Sequence, residues 1–159
     1  LASRTVAMIG RYFDGVVPTA GEPTEIDLRV QRTVAEAATA ADAAMTAFRP
    51  DEAIAAIWRI VDDLNGYITE NEPWALAKDE AKRERLSTVL YTAAEGLRAL
   101  AVLLSPVMPQ STATLWDALG APGELTAQPL REAGTWGQLP AGSRVKTLAP
   151  LFPRVEQTA

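Results

Sequence analysis

The sequence predicts an all-α fold: a helix bundle of about five helices, followed by an extended C-terminal strap rich in Pro and Gly. Three long segments within the first 120 residues repeat apolar side chains at spacings of three and four, the period of an amphipathic helix. Beyond residue 120, five prolines and four glycines interrupt every stretch long enough to form a helix. We therefore divide the chain into a helical bundle at residues 1–120 and a strap at residues 121–159.

The first two helices are predicted from their apolar faces. A short helix is expected at residues 1–13, because Val6, Ile9 and Phe13 fall on one side of it. The stripe of the first long helix consists of Val30, Val34, Ala37, Ala41, Ala44 and Phe48. The R-P-D sequence at 49–51 breaks this pattern, and Pro50 suits the first turn of a new helix.

Three further helices follow before the strap. The stripe of the second long helix, which ends before Pro73, consists of Ile54, Ile57, Val61, Leu64 and Ile68. The stripe of the third, which ends at 105–106, consists of Leu86, Val89, Leu90, Ala93, Leu97, Leu100 and Leu104. A shorter helix is expected from about Pro109 to a cap at Gly120. Since each helix has one apolar stripe, a bundle with the stripes facing inward is the simplest arrangement.

The strap is predicted to lie over the bundle and to contain a short hairpin. Trp136 is the residue that could fix this segment against the helices.

Composition excludes several classes of catalytic site. The chain contains no histidine and no cysteine, so disulfides, thiolate nucleophiles, Cys/His zinc sites and imidazole acid–base catalysis are impossible within it. The net charge of −5 argues against binding nucleic acid through bulk charge, although a local arginine cluster could still do so.

The chain also shows no targeting or membrane signal. Its longest apolar run, at 99–104, is far shorter than a membrane span, and no secretory signal is visible. We expect a cytoplasmic monomer with no membrane contact. Because the first residue is not Met and lies inside a predicted helix, we interpret the chain as part of a longer protein or as a processed one.

Paired carboxylates give little support for catalysis. Asp62 and Asp63 are adjacent in a predicted helix, so their side chains point about 100° apart and cannot act together on one substrate atom. No G-x-x-x-x-G-K or G-x-G-x-x-G loop occurs to bind phosphate, and no spacing of oxygen ligands favours a metal. A self-contained enzyme is therefore the least favoured reading of this chain.

The tryptophans differ in their settings. The spacing of Trp58 and Trp116 from apolar neighbours predicts that both lie in the core. Trp74 follows the polar run at 69–72 and Pro73, so it is expected in the first turn of a new helix. Such an aromatic residue at a helix junction can be a packing contact or a stacking platform. The spacing leaves both possibilities open.

Two arginines near the start form a second candidate. Arg4 and Arg11 are seven residues apart, which places them on one face of a helix about 10 Å from each other. Two guanidinium groups so placed can contact phosphates or base edges of a nucleotide. The alternative is that both are ordinary exposed arginines on the polar side of the helix.

Several strings together resemble the anticodon-binding domain of the methionyl-tRNA synthetases. They are LASR at 1–4, RYFDG at 11–15 and NGYITENEPW at 65–74. The helix entry PVMP at 106–109, with Leu115 and Trp116, resembles that of the related class I synthetases, and PLFPRVE at 150–156 resembles the end of the methionine enzyme. The resemblance extends over essentially the whole chain, and each string alone would be weak.

The resemblance implies a helix bundle that reads the CAU anticodon of tRNA(Met), attached to a Rossmann-type catalytic domain. It assigns Arg4, Arg11 and Trp74 to the anticodon, with Pro73 and Asn65 in support. It also implies an ATP-dependent ligase that uses Mg²⁺ and joins methionine to its tRNA. This chain lacks the family's adenylate-forming motifs, so no cofactor is expected within it. The alternative from a different class is a helical protein–protein interaction module with no role in RNA binding.

Overall fold

The computed structural model describes residues 1–152, and the predicted bundle is confirmed in them. There are five helices of at least 11 residues, a four-residue helical turn and no β-strand in this part of the chain. The helices are α1 (Ala2–Tyr12), α2 (Glu25–Thr46), α3 (Pro50–Asn71), the short α4 (Pro73–Leu76), α5 (Arg83–Leu104) and α6 (Pro109–Leu119).

Helices α2 and α3 pack side by side as a helical hairpin. Pro50 occupies the first turn of α3, as predicted. The prediction for Phe48 was wrong: α2 ends at Thr46, and Phe48 follows with φ = 56° and is 94% exposed. Helical spacing loses its meaning once the backbone leaves the helix, so Phe48 does not continue the stripe.

The prediction for Trp58 was also wrong. The core face of α3 is defined by Ile57, Ile60 and Leu64, which are all buried. Trp58 directly follows Ile57 and is therefore rotated about 100° away from that face. Its side chain is 49% exposed. Val61, which was also assigned to the stripe, is half-buried.

Helix α5 is the central helix of the bundle. It contacts α1, α2, α3 and α6, and its side chains from Thr92 to Leu104 are all buried. The helical segment Glu80–Leu104 is long and apolar enough to cross a membrane, but 89% of its apolar window lies inside the bundle. A central helix surrounded by other helices needs apolar residues on all sides.

Helix α6 and its cap agree with the sequence prediction. Trp116 is buried, and its indole N–H donates to the carbonyl of Gly123 at 3.0 Å. Gly120 ends the helix with φ = 63°, a left-handed conformation that glycine adopts without strain.

The described part of the strap, residues 121–152, lies against the helices. Buried side chains along it are Leu125, Ala133, Leu139 and Leu148. No hairpin forms within these residues: two short 3-10 turns occur, and Arg144 makes an isolated antiparallel bridge with Val16. The division of the chain at residue 120 stays a prediction, and residues 153–156 of the closing string lie outside the described part.

A buried ion pair on α5 holds the strap. Glu95 and Arg98 are at most 1% exposed and pair at 2.8 Å. The Glu95 carboxylate accepts hydrogen bonds from the backbone amides of residues 137, 138 and 139 at 2.7–3.1 Å. Arg98 donates to the carbonyls of Ala133 and Thr135. Two charged side chains thus satisfy the backbone of a segment that has no regular secondary structure.

Candidate functional site

Helix α1 presents two exposed arginines. Val6 and Ile9 face the core, and Arg4 and Arg11 lie on the solvent side, two turns apart. The Arg11 guanidinium lies 5.6 Å from the ring centre of Tyr12. Within residues 1–152, neither arginine takes part in an ion pair, so both can offer their donors to a ligand.

The last turn of α1 is attached to the start of α5. Arg83 donates to the carbonyl of Tyr12 at 3.2 Å, and its guanidinium lies 4.8 Å from the ring centre of Phe13. Since α4 lies shortly before α5 in the chain and contacts it, the Arg11 end of α1 and the turn that carries Trp74 are both anchored on the same end of α5.

Trp74 is the second residue of α4 and is 42% exposed, whereas Pro73 before it is buried. Glu72 joins α3 to α4 in the left-handed conformation, with φ = 44° and ψ = 60°. Its carbonyl accepts the amides of Ala75 and Leu76 at 2.7 and 3.1 Å, which closes the turn. The indole is therefore held on a short, hydrogen-bonded turn whose proline faces inward.

Asn65 lies elsewhere on α3. Its side-chain N–H donates to the carbonyl of Val61 within the same helix at 2.9 Å. With Trp58 and residues 1–3 it lines an apolar groove of about 390 Å³. The described contacts link it to the first turn of α1 and not to Trp74, and its supporting role stays a prediction.

A buried polar cluster joins three helices next to α4. Asp27, in the first turn of α2, is 0% exposed. It accepts two hydrogen bonds from Arg85 of α5 at 2.5 and 3.0 Å, one from the hydroxyl of Tyr67 of α3, and two from Thr24. Arg85 also donates to the side-chain oxygen of Asn71, the last residue of α3, at 2.5 Å.

The spacing of residues in the sequence does not indicate this cluster. One local signal was present, since Thr24 followed three residues later by Asp27 before an apolar run fits a capping box. Nothing in the sequence indicates that Arg85, 58 residues later, would meet the same carboxylate. Contacts between distant residues depend on the packing of the helices and not on local periodicity.

The cluster sets the ionisation of its members. Burial alone would raise the pKa of Asp27, but the hydrogen bonds from Arg85, Tyr67 and Thr24 outweigh it and hold the pKa below the ordinary 3.8. Burial and the hydrogen bond to Asp27 raise the pKa of Tyr67, so the phenol stays protonated and remains a donor.

Acid is therefore expected to destabilise the fold through Asp27. A carboxyl whose pKa is lowered by folding stabilises the protein above its unfolded pKa, and this contribution is lost as the pH falls through the folded value, below about 3.8. Tyr67→Phe removes one donor, so acid unfolding, followed by circular dichroism, should begin at a higher pH. Asp117→Asn, which alters an exposed ion pair, serves as control. An unchanged acid midpoint in Tyr67→Phe would contradict this assignment.

Comparison with known proteins identifies the fold's relatives. A family model described as the anticodon-binding domain of tRNA ligase matches residues 28–148. The methionine–tRNA ligase of Streptomyces coelicolor is 44% identical over 163 residues, which cover 99% of this chain and 30% of that protein. The enzyme of Deinococcus radiodurans is 42% identical, over 100% of this chain and 23% of its own length.

Solved structures give the same result. The apo form of Mycobacterium tuberculosis methionyl-tRNA synthetase has a TM-score of 0.89 at 30% identity, covering 99% of this chain and 31% of that chain. The form bound by methionyl-adenylate has a TM-score of 0.86, covering 96% and 30%. The chain thus spans 23–31% of the length of these relatives. It belongs to the family of anticodon-binding domains of tRNA ligases, as its motifs predicted.

Proposed function

We propose that this chain reads the CAU anticodon of tRNA(Met), as the specificity part of an ATP-dependent ligase that joins methionine to its tRNA. The observation that carries the proposal is Trp74, a large aromatic residue that stays 42% exposed on a turn anchored by a buried proline. The similarity to methionine–tRNA ligases supports the choice of tRNA. No finding favours a protein–protein interaction module instead.

Recognition would combine stacking with hydrogen bonding. Bases of a single-stranded loop are bound by being splayed out, stacked on aromatic faces and hydrogen-bonded at their pairing edges. Trp74 supplies the face, but stacking tolerates every base. Arg4 and Arg11 supply donors for the ring nitrogen and carbonyl of a cytosine, and because arginine cannot accept, another group must accept the exocyclic amine.

The acidity of the chain is compatible with this proposal. A net charge of −5 would oppose a binding mode that covers many phosphates. The proposed contact is small, and both arginines in it are without an ion-pair partner in the described residues. Local donors and one indole can therefore bind a loop without a basic surface.

The chemistry would belong to a partner domain. We propose that the chain acts beside a Rossmann-type catalytic domain, which would use ATP and Mg²⁺ to activate methionine, in a monomeric cytoplasmic enzyme. The residues described here would bind and orient the anticodon loop.

Trp74→Ala is expected to weaken binding of a CAU anticodon stem-loop by roughly 5- to 150-fold, because one stacked base contributes about 1–3 kcal/mol. Anisotropy of a labelled stem-loop measures the dissociation constant. Trp58→Ala is the matched control, since Trp58 is also exposed but lies on α3. Equal affinity of the Trp74 variant and the wild type would refute the stacking role.

Arg4→Ala tests base reading in the same assay. If Arg4 contacts a base edge, its loss should weaken binding and reduce discrimination between stem-loops that differ at the first anticodon position. Each lost base contact should reduce discrimination by about 1–3 kcal/mol. A change confined to the salt dependence would instead identify a phosphate contact.

A further inference from the structure

The side chain of Asn71, three residues before Trp74, is held from two sides. Its oxygen accepts from Arg85 at 2.5 Å, and its N–H donates to the carbonyl of Tyr67 at 2.9 Å. Asn71 is the last residue of α3. The end of this helix is thereby fixed to α5 through one guanidinium.

Only a short, constrained stretch of backbone connects Asn71 to Trp74, so the two residues move together. Glu72 is left-handed, its amide donates to the carbonyl of Ile68 at 3.1 Å, and its carbonyl starts the α4 turn. Pro73 has a fixed φ and a buried ring. With so few free torsions between Asn71 and Trp74, a shift of the α3 end must move the indole.

Asp27 in turn determines where Arg85 points. Its two oxygens accept two nitrogens of Arg85, a bidentate arrangement that fixes the plane of the guanidinium. The same carboxylate accepts from Tyr67 and Thr24, so it is itself immobile. Without this partner, the guanidinium would be held on Asn71 by a single hydrogen bond and its plane would no longer be fixed.

We infer that Asp27 and Arg85 are positioning residues for the proposed anticodon platform, acting through Asn71 to set the orientation of Trp74. The inference rests on the proposed function, because Trp74 is taken as the residue that stacks on an anticodon base. The structural part, that Asn71 sets the orientation of the indole, concerns the protein alone. None of these three residues needs to contact RNA.

The test measures the indole directly. Protein labelled with 5-fluorotryptophan gives a ¹⁹F NMR signal for each of its four tryptophans, and Trp74→Phe assigns one of them. Asn71→Ala should shift or broaden the Trp74 signal and leave those of Trp58, Trp116 and Trp136 in place. Asn71→Asp keeps an acceptor for Arg85 but loses the donor to Tyr67, so its Trp74 signal should lie closer to that of the wild type than the signal of Asn71→Ala does. Arg49→Ala, which removes an exposed ion pair with Glu52 at the opposite end of α3, should leave the Trp74 signal unchanged.

Binding of the CAU stem-loop is measured on the same variants. We expect Asn71→Ala to lose roughly five- to tenfold in affinity, less than the full loss of a stacked base, and Asn71→Asp to lose little. Asp27→Asn should resemble Asn71→Ala in both measurements. If Asp27→Asn fails to fold, the comparison of Asn71→Ala with Asn71→Asp still tests the inference. An unmoved Trp74 signal in Asn71→Ala overturns the inference whatever the RNA result. If the signal moves but Trp74→Ala binds RNA normally, the positioning stands and the proposed function fails.

Discussion

Replacing Glu95 by alanine is expected to lower the free energy of unfolding by about 3–5 kcal/mol, the usual cost of breaking a buried ion pair from one side. The Arg98 guanidinium would remain buried without its carboxylate. The amides of residues 137, 138 and 139 would lose their acceptor as well. The strap should therefore detach from α5 in a larger part of the population.

Urea unfolding followed by circular dichroism measures this loss. Glu80→Ala is the control, because Glu80 also pairs with an arginine at an i,i+3 spacing but is largely exposed, at 3.8 Å from Arg83. Exposed ion pairs contribute little to stability, so Glu80→Ala should cause no measurable change in the free energy of unfolding. A loss below about 1 kcal/mol in Glu95→Ala would mean that water or neighbouring groups replace the carboxylate.

Gly120→Ala is the second substitution expected to have a large effect. Its φ of 63° disfavours any side chain, and an added Cβ would lie 2.3 Å from the carbonyl oxygen of Arg144. Because that neighbour is backbone, residues around 144 must move. The hydrogen bonds from Lys146 to Ala118 and from Val17 to Ser143 lie on either side of the contact. We expect Gly120→Ala to lower the free energy of unfolding by about 2–4 kcal/mol, because of the left-handed strain and the disturbance of these hydrogen bonds.

Gly137→Ala separates the two causes. Gly137 is also left-handed, with φ = 85°, but a Cβ there would have nothing within 4 Å. Gly137→Ala should therefore lower the free energy of unfolding by about 1–2 kcal/mol, which is the cost of the left-handed strain alone. Equal midpoints of thermal unfolding for the two variants would show that the approach of Arg144 to Gly120 is unimportant.

Local periodicity predicted the helices because α1, α2, α3 and α6 each pack one apolar face against their neighbours, and the same period recurs in the more uniformly buried α5. It failed where that condition ended. Phe48 lies two residues beyond the end of α2, and Trp58 lies one residue off the buried face of α3. Spacing alone does not distinguish these two aromatic residues from core residues, because both lie three or four positions from apolar neighbours in the sequence.

The candidate site was predicted in part. The exposure of Trp74 and of the two α1 arginines agrees with the expectation, although their roles remain proposals. The polar groups that hold the Trp74 turn were not predicted. Asp27 and Arg85 are ordinary charged residues in the sequence, and only the packing of α2 against α5 pairs the buried Asp27 with the half-buried Arg85.

Glu95 also governs how the strap exchanges its backbone hydrogens with solvent. Amides outside helices and strands normally exchange quickly, but those of residues 137, 138 and 139 donate to a carboxylate that solvent does not reach. They can exchange only when the strap lifts from α5. Their protection therefore reports the undocking of this segment separately from the opening of the bundle, and Glu95 contributes directly to the free energy of that undocking.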